Sequence, residues 1–186
     1  MAELVRCKSC GFITGRSRVG DVCPACGVPV KNMLPYADPV SPGRRRVLAL
    51  DIHPVIDHFS EAFSFSTLVL AVVGLFPHGM LDIYLFDTLI MLSFFTPPVV
   101  LLSFLSGLLD GKTRFRRVTT PILTKKMILG GTFFVFSCLM LALALQPGFP
   151  EGWLLKAYIA LNIGAFVCGF FLGLLGRGLM GAELPG

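Results

Sequence analysis

Four cysteines near the amino terminus have the spacing of metal ligands. They stand in two motifs, "CKSCG" and "CPACG", at Cys7, Cys10, Cys23 and Cys26. The glycine of each motif permits the positive φ that turns the chain, so both thiolates of a pair converge on one ion while backbone N–H groups point at the sulfurs. Four thiolates in a tetrahedron suit Zn²⁺ or a single iron, and the spacing leaves both metals open.

A second group of ionisable residues lies at the start of the first apolar stretch. Here His53, Asp57 and Glu61 form one stripe at i, i+4 spacing, and His58 is an i, i+3 neighbour of Glu61. Ionisable side chains in a membrane span are costly, which favours a function for them. The group could bind a metal, pass protons to a quinone, or supply a haem ligand.

The same segment also has a purely structural interpretation. Pro54 fits the first turn of a helix, and Asp51 or His53 can cap its start. Carboxylates near the amino terminus of a helix are stabilised by its dipole. The sequence therefore leaves a capped helix start and a functional site equally open.

Histidine supply limits the ways in which this chain could hold a haem. His53 and His58 lie about 140° apart around a helix axis, and His58 and His78 stand at opposite ends of a span about 30 Å long. A haem b would need a second ligand such as Met127, or a histidine from a partner chain. A quinone near His58 and Glu61 is an equal alternative, because its proton chemistry calls for imidazole or carboxylate groups at the membrane edge.

Most of the chain has the composition of membrane-spanning helices. Its 186 residues are 54% hydrophobic and 15% charged, and the mean hydropathy of +0.78 exceeds what a water-soluble domain can cover with polar surface. A hydrocarbon core about 30 Å thick needs about 20 apolar residues per helix. Four stretches have that length, over residues 55–76, 81–109, 127–145 and 153–175.

The basic residues predict how these spans are oriented. Eight of the 16 Lys and Arg residues precede the first span, and six lie between the second and the third. Arg177 follows the fourth span, and only Lys156 falls on the other side. The positive-inside rule therefore predicts a multi-pass membrane protein with both termini in the cytoplasm. These flanking residues explain the net charge of +5 without a nucleic-acid partner.

This topology predicts the domain organisation. A membrane all-α protein with four transmembrane helices (51–180) would follow a small metal domain (1–36) and a proline-rich, basic linker (37–50). In the reducing cytoplasm a cysteine quartet is more often a metal site than two disulfides. Cys138 and Cys168 stand alone in the third and fourth spans, as small buried hydrophobic residues do.

The fourth span also carries small residues at every fourth position. These are Ala157, Leu161, Ala165, Gly169 and Gly173. Such a stripe lets another helix approach closely, either within the chain or in a partner.

The cysteine region resembles a known redox module. The segments "CKSCGF", "CPACG" and "VPVKNMLPY" are similar to the rubredoxin-like module attached to rubrerythrins, and the resemblance covers about residues 5–36. It implies that Cys7, Cys10, Cys23 and Cys26 hold one mononuclear iron that transfers single electrons. A structural zinc ribbon uses the same pattern, so zinc stays an alternative.

The membrane region carries a second resemblance. The segment "DIHPVIDHFSEAF", followed by three spans and the basic "RFRRVTTPILTKK", resembles a bacterial family of four-helix membrane proteins with an HP-x-x-x-HF motif. It covers about residues 50–176. The family is uncharacterised in activity, and some members are associated with redox proteins, so the resemblance implies mainly fold and topology.

These features predict a membrane-anchored electron-transfer subunit that exchanges single electrons with a membrane or soluble redox partner, or with the quinone pool. His53, His58 and Glu61 are the candidate binding residues for a haem or quinone. With few polar groups for a substrate pocket, the chain is more plausibly a non-catalytic subunit of an oxidoreductase complex than a complete enzyme. The alternative is a structural zinc-ribbon adaptor that helps to assemble a larger complex.

Overall fold

The computed structural model describes residues 3–37, 41, 43, 46–47, 50–77, 79–115 and 120–180. The chain divides into two compact units, one centred on Met1–Arg45 and one spanning Arg46–Leu175. Much of the predicted linker, residues 37–50, lies outside the described residues, and so does His78.

The amino-terminal unit is built on a three-stranded antiparallel sheet. Its strands, in chain order, are β1 (Leu4–Cys7), β2 (Ile13–Gly15) and β3 (Met33–Tyr36). Strand β1 lies in the centre, with Val5 opposite Thr14 of β2 and Pro35 of β3, and Cys7 opposite Met33. Two 3₁₀ turns, at Arg16–Arg18 and Val30–Asn32, follow β2 and precede β3. The sheet therefore carries the first cysteine at the end of its central strand.

The hydrophobic core of this unit is very small. Among the described residues its fully buried members are Val5, Met33 and two of the cysteines, Cys7 and Cys23. A unit of this size buries too little apolar surface to fold securely on its own, and domains of this kind usually need a metal or disulfides. We therefore expect the stability of this unit to depend on what its cysteines bind.

Four long helices form the second unit. They are α1 (Ile52–Val73), α2 (Leu81–Phe115), α3 (Pro121–Ala144) and α4 (Trp153–Met180). Each contains a segment long and apolar enough to cross a membrane. The prediction of a membrane all-α protein with four spans and a small amino-terminal cysteine unit is confirmed, and the architecture is that of a multi-pass membrane protein.

The helix bounds differ from the apolar stretches that predicted them, and α1 ends at Val73, before residue 76. Helix α3 begins earlier, at Pro121, because proline suits the first turn and the Thr120 hydroxyl oxygen accepts a hydrogen bond of 3.4 Å from the Leu123 N–H. Helix α1 likewise begins before residue 55, while α2 and α4 continue past residues 109 and 175. The thickness of the hydrocarbon core determines how many apolar residues a span needs, whereas capping residues determine where the helix begins or ends.

A buried row of polar side chains joins three of the helices. Ser93 of α2 shares a hydrogen bond of 2.7 Å with the hydroxyl of Tyr158 on α4. On α4, the Asn162 amide donates to the Thr67 hydroxyl of α1 at 2.9 Å and accepts from Ser64 at 3.4 Å. With its amide atoms exchanged, Asn162 still bonds α1 through the Ser64 carbonyl at 3.1 Å and Thr67 at 2.9 Å. In hydrocarbon, such hydrogen-bonded pairs hold helices together because no water is available to bond to these polar groups instead.

Glycines allow aromatic rings to pack directly on neighbouring helices. A Cβ atom at Gly130 of α3 would lie 2.8 Å from the ring of Phe104 on α2, and one at Gly164 of α4 would lie 2.7 Å from Phe136 on α3. The small-residue stripe predicted on α4 contributes Ala165, which is fully buried, but Gly164 stands outside it. Ring-on-glycine contacts therefore add to the packing that the stripe predicts.

We expect the Ser93–Tyr158 hydrogen bond to stabilise the helical unit measurably. A double-mutant cycle of Ser93→Ala and Tyr158→Phe should give a coupling energy of about 0.6 kcal/mol, with an upper bound of about 1.7 kcal/mol. Unfolding in detergent micelles measures it. Thr88→Ala is the matched control, because its exposed hydroxyl bonds only to the Tyr84 carbonyl of its own helix. A coupling of zero between Ser93 and Tyr158 would show that this contact does not form.

Candidate functional site

The two cysteine motifs adopt the same local geometry. The first cysteine of each motif donates its N–H to the carbonyl five residues on at 2.8 Å, and its carbonyl accepts from the N–H of the motif's glycine at 2.9 Å. Both glycines, Gly11 and Gly27, have φ of +75°, a conformation that other residues adopt at a cost. As predicted, each glycine turns the chain so that two cysteines face the same side.

These turns bring all four sulfur atoms together. The Sγ atoms of Cys7 and Cys26 are 3.8 Å apart, those of Cys10 and Cys23 are 3.9 Å apart, and all four lie within 4.8 Å of one another. A tetrahedron with metal–sulfur bonds of about 2.3 Å has edges of about 3.8 Å. A disulfide would need about 2.05 Å. The arrangement therefore fits four thiolates around one ion.

Burial differs between the two halves of the cluster. The first cysteine of each motif, Cys7 or Cys23, is only 1% exposed, whereas Cys10 is half-buried and Cys26 is exposed. One side of the sulfur cluster is thus packed against the small core, and the other side reaches the surface of the unit.

The electrostatics of Cys7 and Cys26 favour a bound cation. The backbone N–H of Cys10, with that of Ser9, lowers the pKa of the Cys7 thiol to about 7. The Val28 N–H favours ionisation of Cys26 in the same way, but partial desolvation and the three neighbouring sulfurs raise its pKa to about 12. One thiolate therefore suppresses the ionisation of the next. A metal cation removes this repulsion and allows all four to be thiolates.

The start of α1 does not carry the side-chain cap that the sequence allowed. Asp51 precedes the helix with φ of +46° and makes no capping hydrogen bond, so the capping interpretation is wrong for this residue. His53 is directed at α2, where its Nδ1 lies 3.2 Å from the Ser106 hydroxyl. Its ring packs on Gly107, at which a Cβ atom would come within 2.9 Å of the imidazole.

Asp57 also bonds to α2. Its Oδ1 accepts a hydrogen bond of 2.7 Å from the hydroxyl of Ser103, and the Ser103 carbonyl accepts one of 2.8 Å from Ser106. Together with His53 these residues form a continuous polar contact between the first and second helices. An ionisable pair in an apolar environment is stabilised when its members have such partners.

Glu61 and His58 lie in other environments. Each i, i+4 step advances about 40° around the helix, so Glu61 is rotated about 80° from His53. Its carboxyl group faces α4, with Oε1 3.5 Å from the position of a Cβ atom at Gly173. His58 is exposed, on a further face of α1. The structure therefore divides His53, His58 and Glu61 among three environments.

Several polar residues of the site were missed by the sequence interpretation. Ser103 and Ser106 are an i, i+3 pair of hydroxyls at the end of α2 where its charged residues follow, and that spacing could have indicated a shared partner. The buried row across the bundle had a weaker signal, namely hydroxyls on α1 spaced four and three residues apart at Ser60, Ser64 and Thr67.

Comparison of the chain with protein-family models, with curated proteins and with solved structures finds no match. The resemblances to the rubredoxin-like module and to the HP-x-x-x-HF membrane family therefore rest on the motifs themselves. What the structure adds is the convergence of the four cysteines at the amino terminus and the four apolar helices that follow.

Replacing a buried cysteine should remove the metal and unfold the amino-terminal unit. In zinc-binding peptides the metal supplies about 10 kcal/mol or more of folding free energy, far above what this small core provides. We expect Cys23→Ser to lower the metal content from one ion per chain towards zero. Amide hydrogen exchange should become fast in β1–β3, and the four helices should stay protected.

Cys138→Ser is the matched control, because this thiol lies within α3 and is not one of the four clustered cysteines. It should keep both the metal and the protection of the sheet. Full metal content in Cys23→Ser would contradict the assignment of Cys23 as a ligand.

Proposed function

We propose that this chain is a membrane-anchored electron-transfer subunit in which Cys7, Cys10, Cys23 and Cys26 hold one rubredoxin-type iron. The observation that carries the proposal is the cluster of four sulfurs, all within 4.8 Å of one another and exposed on one side. Bound there, an iron would supply a one-electron couple. Four protein ligands leave no open coordination position, so the centre suits electron exchange or a structural purpose but not substrate activation.

The exposure of Cys26 favours electron exchange over a purely structural purpose. A redox partner can approach the sulfur directly, whereas a structural ion gains nothing from an exposed ligand. The backbone N–H groups that lower the pKa of Cys7 would also stabilise the negative charge that a reduced iron–thiolate centre gains.

The membrane unit supports a location for this activity. Four spans and the placement of basic residues favour a bacterial inner membrane with both termini in the cytoplasm. The partners would be a soluble or membrane redox protein and the quinone pool. Of the candidate haem or quinone residues, Glu61 and His53 are half-buried within the bundle, and His58 would be available to a partner chain.

An absorption spectrum combined with metal analysis tests the proposal. Full-length protein purified in detergent should contain one iron per chain and show thiolate-to-iron charge-transfer absorption in the visible range, which dithionite bleaches. Cys26→Ser should change or abolish that absorption, whereas Cys168→Ser, in α4, should leave it unchanged. A Soret band in addition would identify a haem b.

A colourless protein with one zinc per chain would contradict the proposal. That result would favour the structural zinc-ribbon adaptor, in which the same four thiolates stabilise a docking surface for a larger complex. To exclude misincorporation during expression, the measurement is made on protein from cells grown with iron and zinc at equal concentrations.

A further inference from the structure

The helical unit contains a cavity of about 280 Å³ between α1, α3 and α4. Its polar groups are Glu61 and Ser64 of α1, and its walls are mainly aromatic. The rings come from Phe133, Phe166 and Phe170. Phe133 is buried at the inner end, whereas the other two are partly exposed, so the cavity opens sideways from the bundle. In a membrane that opening faces the hydrocarbon of the lipid.

Glu61 is the chemically distinctive residue of this cavity. It stands nine residues after Ile52 at the start of α1, so about 14 Å of helix separate the two. Space for the carboxyl group comes from two glycines of α4. A Cβ atom at Gly173 would lie 3.5 Å from Oε1, and one at Gly169 would lie 3.9 Å from Cγ. None of the described side chains, which on α4 end at Gly176, donates a hydrogen bond to this carboxyl group.

A carboxyl group in this position is costly unless a ligand or water pairs with it. The neighbouring Asp57 avoids that cost because Ser103 donates to it. Glu61 instead borders open space between aromatic rings. That difference indicates a binding site for a ligand that carries a hydrogen-bonding group.

The geometry points to a ring-binding site for a membrane-soluble quinone or hydroquinone, with its oxygen paired to Glu61. This inference rests on the proposed electron-transfer function and names the membrane-side molecule. A neutral carboxyl group donates its proton to a quinone carbonyl and accepts from a hydroquinone hydroxyl, so one residue serves both forms of the ring. The rings of Phe166 and Phe170 supply faces and edges for aromatic packing.

The chemistry of the cavity favours a ring with its own polar group over a plain acyl chain. An engineered cavity of about 150 Å³ holds a benzene molecule, so about 280 Å³ accommodates a substituted ring. An acyl chain would fill the same space but would leave the Glu61 carboxyl group unpaired. A lipophilic cation would pair with the ionised form of Glu61, and titration with tetraphenylphosphonium distinguishes it from a ring that carries its own hydrogen-bonding oxygen.

Calorimetric titration tests the binding. Full-length protein in phosphatidylcholine nanodiscs is titrated under nitrogen with decylubiquinol, a short-tailed hydroquinone, and empty nanodiscs give the partitioning background. Saturable binding to the protein is expected. Gly173→Leu should weaken it more than about tenfold by filling the cavity, and Glu61→Leu by about fivefold through loss of a hydrogen bond.

Matched variants separate the cavity from general effects on the bundle. Phe170→Leu should weaken binding by about threefold, whereas Phe95→Leu, at an exposed ring of α2, a helix that does not line the cavity, should not change it. Gly131→Leu controls for added apolar bulk, because a Cβ atom there meets nothing within 4 Å. Circular dichroism and thermal unfolding establish that each variant is folded. If Gly173→Leu is unfolded, Glu61→Leu and Phe170→Leu decide the question.

The inference is overturned if the wild-type protein binds no decylubiquinol above background, or if the cavity variants bind as the wild type does. Binding of tetraphenylphosphonium that depends on Glu61, without binding of decylubiquinol, also overturns it and assigns the cavity to lipophilic cations.

Iron absorption is recorded on the same samples. Iron-loaded protein that bleaches with dithionite but binds no hydroquinone refutes the ring site alone, and zinc protein that binds hydroquinone refutes the electron-transfer proposal alone.

Discussion

In the hydrocarbon of a membrane, polar groups must find their partners inside the protein, and the helical unit is arranged around that constraint. Tyr158, which would otherwise bury an unpaired hydroxyl, bonds to Ser93 at 2.7 Å. Asn162 reaches α1 in either orientation of its amide. These contacts tie α1, α2 and α4 to one another. Since lipid is as apolar as leucine, burying apolar side chains would not by itself fix which helices are neighbours.

The amino-terminal unit solves the opposite problem, because it is a small unit with little apolar surface to bury. Val5 and Met33 are the larger members of its buried core, and two cysteines complete it. These two cysteines therefore belong to the hydrophobic core and also supply ligands for the candidate ion. Binding a cation there also removes the repulsion that raises the pKa of Cys26 to about 12. In this unit folding and metal binding are expected to be one equilibrium.

The parts of the structure that could be predicted from the sequence are those determined by residues close together in the chain. Four apolar stretches predicted four helices, and Gly11 and Gly27 predicted the two turns that gather the sulfurs. Helix ends were less predictable, because the Thr120 cap and Pro121 lie outside the apolar stretch. The division of His53 and Glu61 between α2 and α4 was not predictable either. It depends on which helices lie beside α1, and a periodicity within one helix contains no information about its neighbours.

The same constraint explains why the two carboxyl groups within α1 differ. They stand about one helical turn apart on the same stripe, yet Asp57 accepts a hydrogen bond from the Ser103 hydroxyl, whereas Glu61 borders Gly169 and Gly173 of α4. A helix whose sole requirement was packing would fill that space with a methyl group or larger, which the Cβ distances of 3.5 and 3.9 Å permit. A carboxyl group that has no hydrogen-bond donor among the described side chains and borders open, ring-lined space on a lipid-facing side is therefore better explained by a ligand than by packing.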